Sequence, residues 1–143
     1  MKKISEVMTT DVQTVSGDQT AREAAGFMLR AEAGSIPVCE GDKVIGIITD
    51  RDIAVRGVAE GRGPDTLVRD LMSDGIICAR GDDDIQSVAR RMSDEQIRRL
   101  PVLDGDDRLI GIVSLGDLAR ETDAAPAQKA LEGVSAPGGQ HQQ

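Results

Sequence analysis

Residues 4–53 and 68–118 of this 143-residue chain are two versions of one pattern, and a duplicated pattern limits the fold more than any single motif does. Met8 aligns with Met72, Met28 with Met92 and Pro37-Val38 with Pro101-Val102, all at an offset of 64. One extra residue near Asp107 moves the offset to 65, so that Ile45-Gly46-Ile47 meets Ile110-Gly111-Ile112 and Asp52 meets Asp117. Each copy opens on a short segment ending in Met, Ile4 to Met8 or Val68 to Met72, followed by an extended stretch, Gln13 to Val15 or Ile76 to Ala79. An amphipathic helix comes next. Ala21, Ala24, Ala25 and Met28 recur at three- and four-residue spacing, as do Ile85, Val88, Ala89 and Met92. Ile36-Pro37-Val38-Cys39 and Val44 to Ile48 then flank Glu40-Gly41-Asp42-Lys43, a hairpin signal that Asp104-Gly105-Asp106-Asp107-Arg108 repeats. A second helix is expected to start at Thr49 and at Ser114, because Thr49-x-x-Asp52 and Ser114-x-x-Asp117 are capping boxes placed directly after an apolar strand.

One copy is thus β-α-β-β-α in about fifty residues, a size at which a single core is marginal. The fold class expected is α/β (α+β), with two such units related by a pseudo-two-fold axis and burying their continuous apolar strands on both faces. Residues 4–63 make the first domain with its connecting segment, marked by Gly57, Gly61, Gly63 and Pro64, and residues 64–122 make the second. Residues 123–143 are rich in Ala, Pro, Gly and Gln and read as a mobile tail, with Ala127 to Leu131 at best a short helical turn.

Composition narrows the functions open to such a chain. Hydrophobic residues at 39% and charged ones at 29% suit a buried core, but the chain has one Phe and no Tyr or Trp. Functions built on stacked aromatics are therefore out, including most single-strand nucleic-acid platforms. A net charge of -8 repels a polyphosphate backbone, so no nucleic-acid partner is expected. No apolar run approaches the roughly 20 residues of a membrane span, and no signal-type stretch follows the Met-Lys-Lys start, which reads as a soluble, cytoplasmic protein without a membrane partner. Cys39 and Cys78 lie in apolar runs with no Cys or His nearby, so neither a disulfide framework nor a metal site is expected. The single histidine, His141, stands in the Gly- and Gln-rich tail, which removes histidine-based catalysis.

Ser35 to Val38, Val44 to Ile53, Arg99 to Val102 and Leu109 to Leu118 resemble the cystathionine-β-synthase (CBS) domain, and two in tandem resemble a Bateman module. The resemblance spans Ile4 to about Arg120. Thr49 to Ile53 with Gly57 to Thr66 is also similar to small stand-alone bacterial pairs, among them hypoxia-response proteins of actinobacteria. It implies a regulatory module that binds an adenosine-containing ligand, AMP, ADP, ATP or S-adenosylmethionine, in the cleft between the two copies without transforming it, and a homodimer. By the same resemblance Asp52 and Asp117 accept the ribose hydroxyls, which suits an acceptor-only carboxylate. Thr49 and Ser114 meet ribose or phosphate. Thr14-Val15 and Cys78-Ala79 lie where the family's first strand contacts adenine, and Ile36-Pro37 and Leu100-Pro101 form an apolar wall. Arg51 and Arg99 are the phosphate counter-charges expected of an acidic protein.

The same residues have plainer uses. Both Thr-x-x-Asp and Ser-x-x-Asp cap a helix with no ligand present, and Arg90-Arg91 and Arg98-Arg99 fit a solvated face or a dimer contact. Met8, Met28, Met72 and Met92 are core fillers, and Asp82 to Asp84 a solvated helix start. A competing function is therefore a CBS-pair interaction or dimerisation module with an empty cleft, acting on an unidentified protein partner in stress or hypoxia response. An enzyme is not expected, since no phosphate loop, metal constellation or nucleophile-base pair can be assembled.

Overall fold

The computed structural model describes residues 2–121. His141, the stretch Ala127 to Leu131 and the tail 123–143 lie outside the described residues. The chain forms two compact units: a central one, Gln13–Ile76, and a terminal one that joins Met1–Val12 to the chain from Ile77 onward.

In the central unit, α1 (Ala21–Ala31) begins where Thr20 accepts a hydrogen bond from the Glu23 N–H, while the Glu23 carboxylate accepts one from the Thr20 N–H. This reciprocal box satisfies two helix-start donors. The helix ends where Glu32 turns left-handed at φ 52°. Its inner face, Ala21, Ala24 and Met28, packs in one cluster with Val15, Ile36, Val38, Ile48, Val68 and Leu71. Strands β1 (Ser35–Glu40) and β2 (Lys43–Thr49) form the antiparallel hairpin, with Ser35 opposite Thr49 and Ile36 opposite Ile48. Ile36, Pro37, Val38 and Cys39 are all buried, the pattern of a strand covered on both faces. After β2 comes a single α-turn, α2 (Asp50–Asp52), which widens into a π-helical turn over Ile53–Gly57 and tightens again at Val58–Glu60.

The terminal unit repeats this plan. A two-residue strand β3 (Ala79–Arg80) runs parallel to β4 (Arg99–Leu103), which pairs antiparallel with β5 (Leu109–Ser114). Between β3 and β4, α3 (Ile85–Glu95) starts at Asp84, whose carboxylate accepts from the Ser87 N–H at 2.8 Å, and ends at a left-handed Gln96. Its buried face is Ile85, Val88, Ala89 and Met92. The chain leaves β5 as α4 (Leu115–Glu121). Asp83 is drawn into bonds with the Arg80 N–H and the Arg91 guanidinium, so the Asp82 to Asp84 run is not simply a solvated helix start.

The sequence bounds 4–63 and 64–122 follow the repeat, whereas the compact units cross it. The opening segment of the first copy belongs to the sheet of the second: Thr9 bridges Ile112 with two hydrogen bonds of 2.9 Å, and Ile4 donates to the Asp83 carbonyl. Reciprocally, Ser73 bridges Ile47 with two bonds of 2.9 Å, and Val68 donates to the Gln19 carbonyl. Each segment caps the open backbone edge of the second hairpin strand, which would otherwise leave unpaired donors and acceptors. The repeated Ile-Gly-Ile exists for this contact. A Cβ on Gly46 would stand 2.6 Å from the Ser73 carbonyl oxygen and 2.9 Å from Met72 Sδ. On Gly111 it would stand 2.8 Å from the Thr9 carbonyl oxygen and 2.5 Å from Met8 Sδ. Only a residue without a side chain admits that approach.

Candidate functional site

In the central unit, the Thr49 N–H donates to Asp52 Oδ2 at 2.9 Å and the Asp52 N–H donates to Thr49 Oγ1 at 3.0 Å. Both residues are buried, Thr49 at 5% and Asp52 at 2% exposed, and they are the only buried polar or charged residues among the described ones. Burying a carboxylate is costly unless donors surround it, and here the strand-end N–H supplies one of them. β2 presents Thr49 beside Ser35 of β1, and the next residue, Ile36, belongs to the apolar core. Val15 lies on the other side of β1, donating to the Pro37 carbonyl at 3.1 Å while Cys39 donates to the Val15 carbonyl at 2.8 Å. Thr49 and Asp52 thus stand on the β2 side of Ser35 and Ile36, while Val15 flanks Pro37 from the opposite edge of β1. Thr14 is half-buried next to Val15, and Arg51 is exposed without an ion-pair partner among the described residues.

The terminal unit builds the same arrangement with other side chains. The Ser114 N–H donates to Asp117 Oδ2 at 3.0 Å, and the Asp117 N–H to Ser114 Oγ at 3.2 Å. Arg99 stands directly across from Ser114, in the place that Ser35 holds opposite Thr49, and its guanidinium has no ion-pair partner among the described residues. Leu100 and Pro101 are buried in β4, Ala79 pairs with Val102, and Cys78 is half-buried just before β3. Burial raises the Cys78 thiol above its ordinary range, opposed by the Arg80 and Arg91 charges, and burial likewise raises Cys39. Both thiols are therefore poor nucleophiles near neutral pH.

Two residues that the sequence reading passed over face the carboxylates. Arg120 donates to Asp117 Oδ1 at 2.7 Å. Arg56 places its Nε 3.9 Å from Asp52 Oδ1 while donating instead to the carbonyls of Met72, at 3.0 Å, and Leu71, at 3.4 Å. The signal was available, since side chains three and four residues apart meet on a helix. Among the described residues no group of three or more His, Cys, Asp or Glu side chains is placed to hold a metal ion, and no helix is long and apolar enough to cross a membrane.

Comparison with known proteins follows the same two-fold division. The CBS domain family model matches residues 4–57 and again 68–123. CBS domain-containing protein YhcV of Bacillus subtilis is 43% identical over 119 residues, 83% of this chain and 84% of the relative. Hypoxic response protein 1 of Mycobacterium tuberculosis is 34% identical over 122 residues, covering 84% of this chain and 85% of that protein. Among solved structures, the CBS domain pair of protein MJ0100, in complex with 5'-methylthioadenosine and S-adenosyl-L-methionine, superposes with a TM-score of 0.72 at 27% identity, over 84% of this chain and 94% of that one.

Proposed function

Because this chain belongs to the CBS domain family as a tandem pair, we propose that it is a regulatory module that binds an adenosine-containing small molecule and reports on it without transforming it. The observation that carries this reading is the recurrence, in both units, of a strand-end residue whose N–H donates to one carboxylate oxygen of an Asp and whose hydroxyl accepts from that Asp's N–H, which fixes the direction of the other carboxylate oxygen. A carboxylate held in this way can accept from the vicinal hydroxyls of a ribose, an interaction that water would otherwise compete for. Thr49 and Ser114 then contact ribose or phosphate, and Arg51 and Arg99 supply cations for an anionic end of the ligand. Val15, Ile36, Pro37, Ala79, Leu100 and Pro101 are all buried and back the apolar side of each site from beneath, which leaves the half-buried Thr14 and Cys78 to meet the base. The MJ0100 pair, crystallised with two adenosyl compounds, supports the ligand class.

The test uses a property of the composition. With no Trp or Tyr the protein scarcely absorbs at 280 nm, so nucleotide retained through purification shows as a 260 nm band released by denaturation and identified by mass. Calorimetry with AMP, ADP, ATP and S-adenosylmethionine should show saturable binding of at least one, weakened tenfold or more by Asp52→Ala. No binding of any of them, with no effect of Asp52→Ala, contradicts the reading.

A second reading, a homodimeric interaction module, draws on Leu29, Val58 and Val55, which are 80%, 72% and 46% exposed. Exposed aliphatic side chains on helices are the material of a partner contact. Sedimentation of a dimer that Leu29→Glu or Val58→Glu converts to monomer supports it, and a monomer at micromolar concentration counts against it.

A further inference from the structure

We propose that the two carboxylates are unequal seats: Asp52 takes the ligand's hydroxyl more tightly, because Arg120 already occupies the matching oxygen of Asp117. The proposal rests on the adenosyl-ligand reading and ranks the two copies within it.

In each unit Oδ2 is committed to the strand-end N–H, at 2.9 Å for Asp52 and 3.0 Å for Asp117. The difference lies in Oδ1. On Asp117 it accepts a charge-assisted bond from the Arg120 guanidinium at 2.7 Å, a distance at the short, strong end of the range. On Asp52 the nearest cation is Arg56 Nε at 3.9 Å, beyond hydrogen-bond reach. Arg56 cannot easily close that gap. It stands in the widened turn Ile53–Gly57, and its guanidinium is held by the carbonyls of Met72 and Leu71, part of the segment that borders β2.

Asp52 Oδ1 therefore receives no hydrogen bond within the unit, although its side chain is 3% exposed, against 13% for Asp117. The buried side-chain atoms without a partner among the described residues are Ser73 Oγ and Arg91 Nε, so Asp52 Oδ1 keeps a contact with solvent through which a donor from outside can reach it. A ribose hydroxyl at Asp52 gains an acceptor by replacing no protein hydrogen bond, only solvent. The same hydroxyl at Asp117 must first displace a cation, and exchanging one charge-assisted bond for another weakens binding about tenfold.

The full chain titrated with AMP and with S-adenosylmethionine tests this. For whichever binds, calorimetry should resolve a first molecule per chain and a second about tenfold weaker. Arg120→Ala, a change at a side chain that is 70% exposed, should tighten the weaker step about tenfold and bring the two together. Asp52→Asn keeps a cap, since the amide oxygen still accepts from the Thr49 N–H, yet presents an N–H₂ where the free acceptor stood. It should remove the tighter step in a protein whose melting temperature confirms that it is folded. Two indistinguishable steps in the native chain, an Arg120→Ala protein whose weaker step does not move, or a tighter step that survives Asp52→Asn and is lost in Asp117→Asn, each overturn the ranking. Absence of binding by both compounds overturns the adenosyl-ligand reading itself, a result distinct from all three.

Discussion

In the central unit the second hairpin strand ends at Thr49, and the chain winds through a buried Asp52 into a widened turn and a buried Gly57. In the terminal unit it ends at Ser114 and continues as the regular helix Leu115–Glu121. The strands before these points hardly differ: each hairpin has the same pairing, the same irregularity two residues after its Pro, and the same glycine under a crossing segment. The sheets are held alike because backbone approach leaves no room for variation, while the helices that follow are free to diverge. The divergence falls on the groups around the two carboxylates, which is where a duplicated element can change without harm to the fold.

That comparison can be broken at several depths. The largest effects belong to the cores: Ile48→Ala and Leu100→Ala, each at a residue with 0% exposure, should each cost about 2–5 kcal/mol in denaturant unfolding. A loss confined to one of the two would show that the units are not equivalent scaffolds. Next come Gly46→Ala and Gly111→Ala. Each forces a methyl against a carbonyl oxygen and a Met sulfur, and each should cost about 1–3 kcal/mol, whereas Gly63→Ala, with open space around it, should stay within about 0.5 kcal/mol.

Smaller again is loss of the caps. Asp52→Ala leaves the buried Thr49 N–H without its acceptor and should cost about 1–2 kcal/mol. Asp117→Ala, at a more open site, should cost about 0.5–1 kcal/mol by the same melts. Equal losses would argue that burial does not distinguish the two sites. The smallest effect is at the β4–β5 turn. The Asp104 carboxylate accepts from the Arg108 and Asp106 N–H groups, and the Arg108 bond above all holds its pKa below the ordinary value. Its contribution is present above the unfolded pKa of about 3.9 and disappears as pH falls through the lowered folded value. A carboxyl resonance titrating below that of a model aspartate confirms the direction, and one titrating above it contradicts it.

The two-fold repeat, both long helices, both hairpins and both capping boxes could be read from the residues, because each depends on local spacing: the three- and four-residue recurrence of Ala21 to Met28 and Ile85 to Met92, and the Asp-Gly turn. The crossing of the opening segments could not. Pairing of Thr9 with Ile112 is a contact across more than half of the chain, and alignment of repeats records common descent rather than which edge a segment covers. The glycines of Ile-Gly-Ile carried that information, but a strand glycine alone does not say what approaches it. At the candidate site, Thr49, Asp52, Ser114 and Asp117 were legible as capping boxes, whereas the burial of Asp52 and the roles of Arg56 and Arg120 depend on side-chain directions. Arg56 and Arg120 hold slightly different spacings from their carboxylates, four residues and three. The widened turn that decides what Arg56 reaches has no local sequence signature.

A crystal structure of the chain grown with AMP or S-adenosylmethionine at a few times its dissociation constant tests the account most directly. It should show ribose hydroxyl oxygens within 3.2 Å of Asp52 Oδ1, a typical hydrogen-bond distance, with Oδ2 still on the Thr49 N–H. A bound ligand whose ribose contacts neither Asp52 nor Asp117 would contradict it.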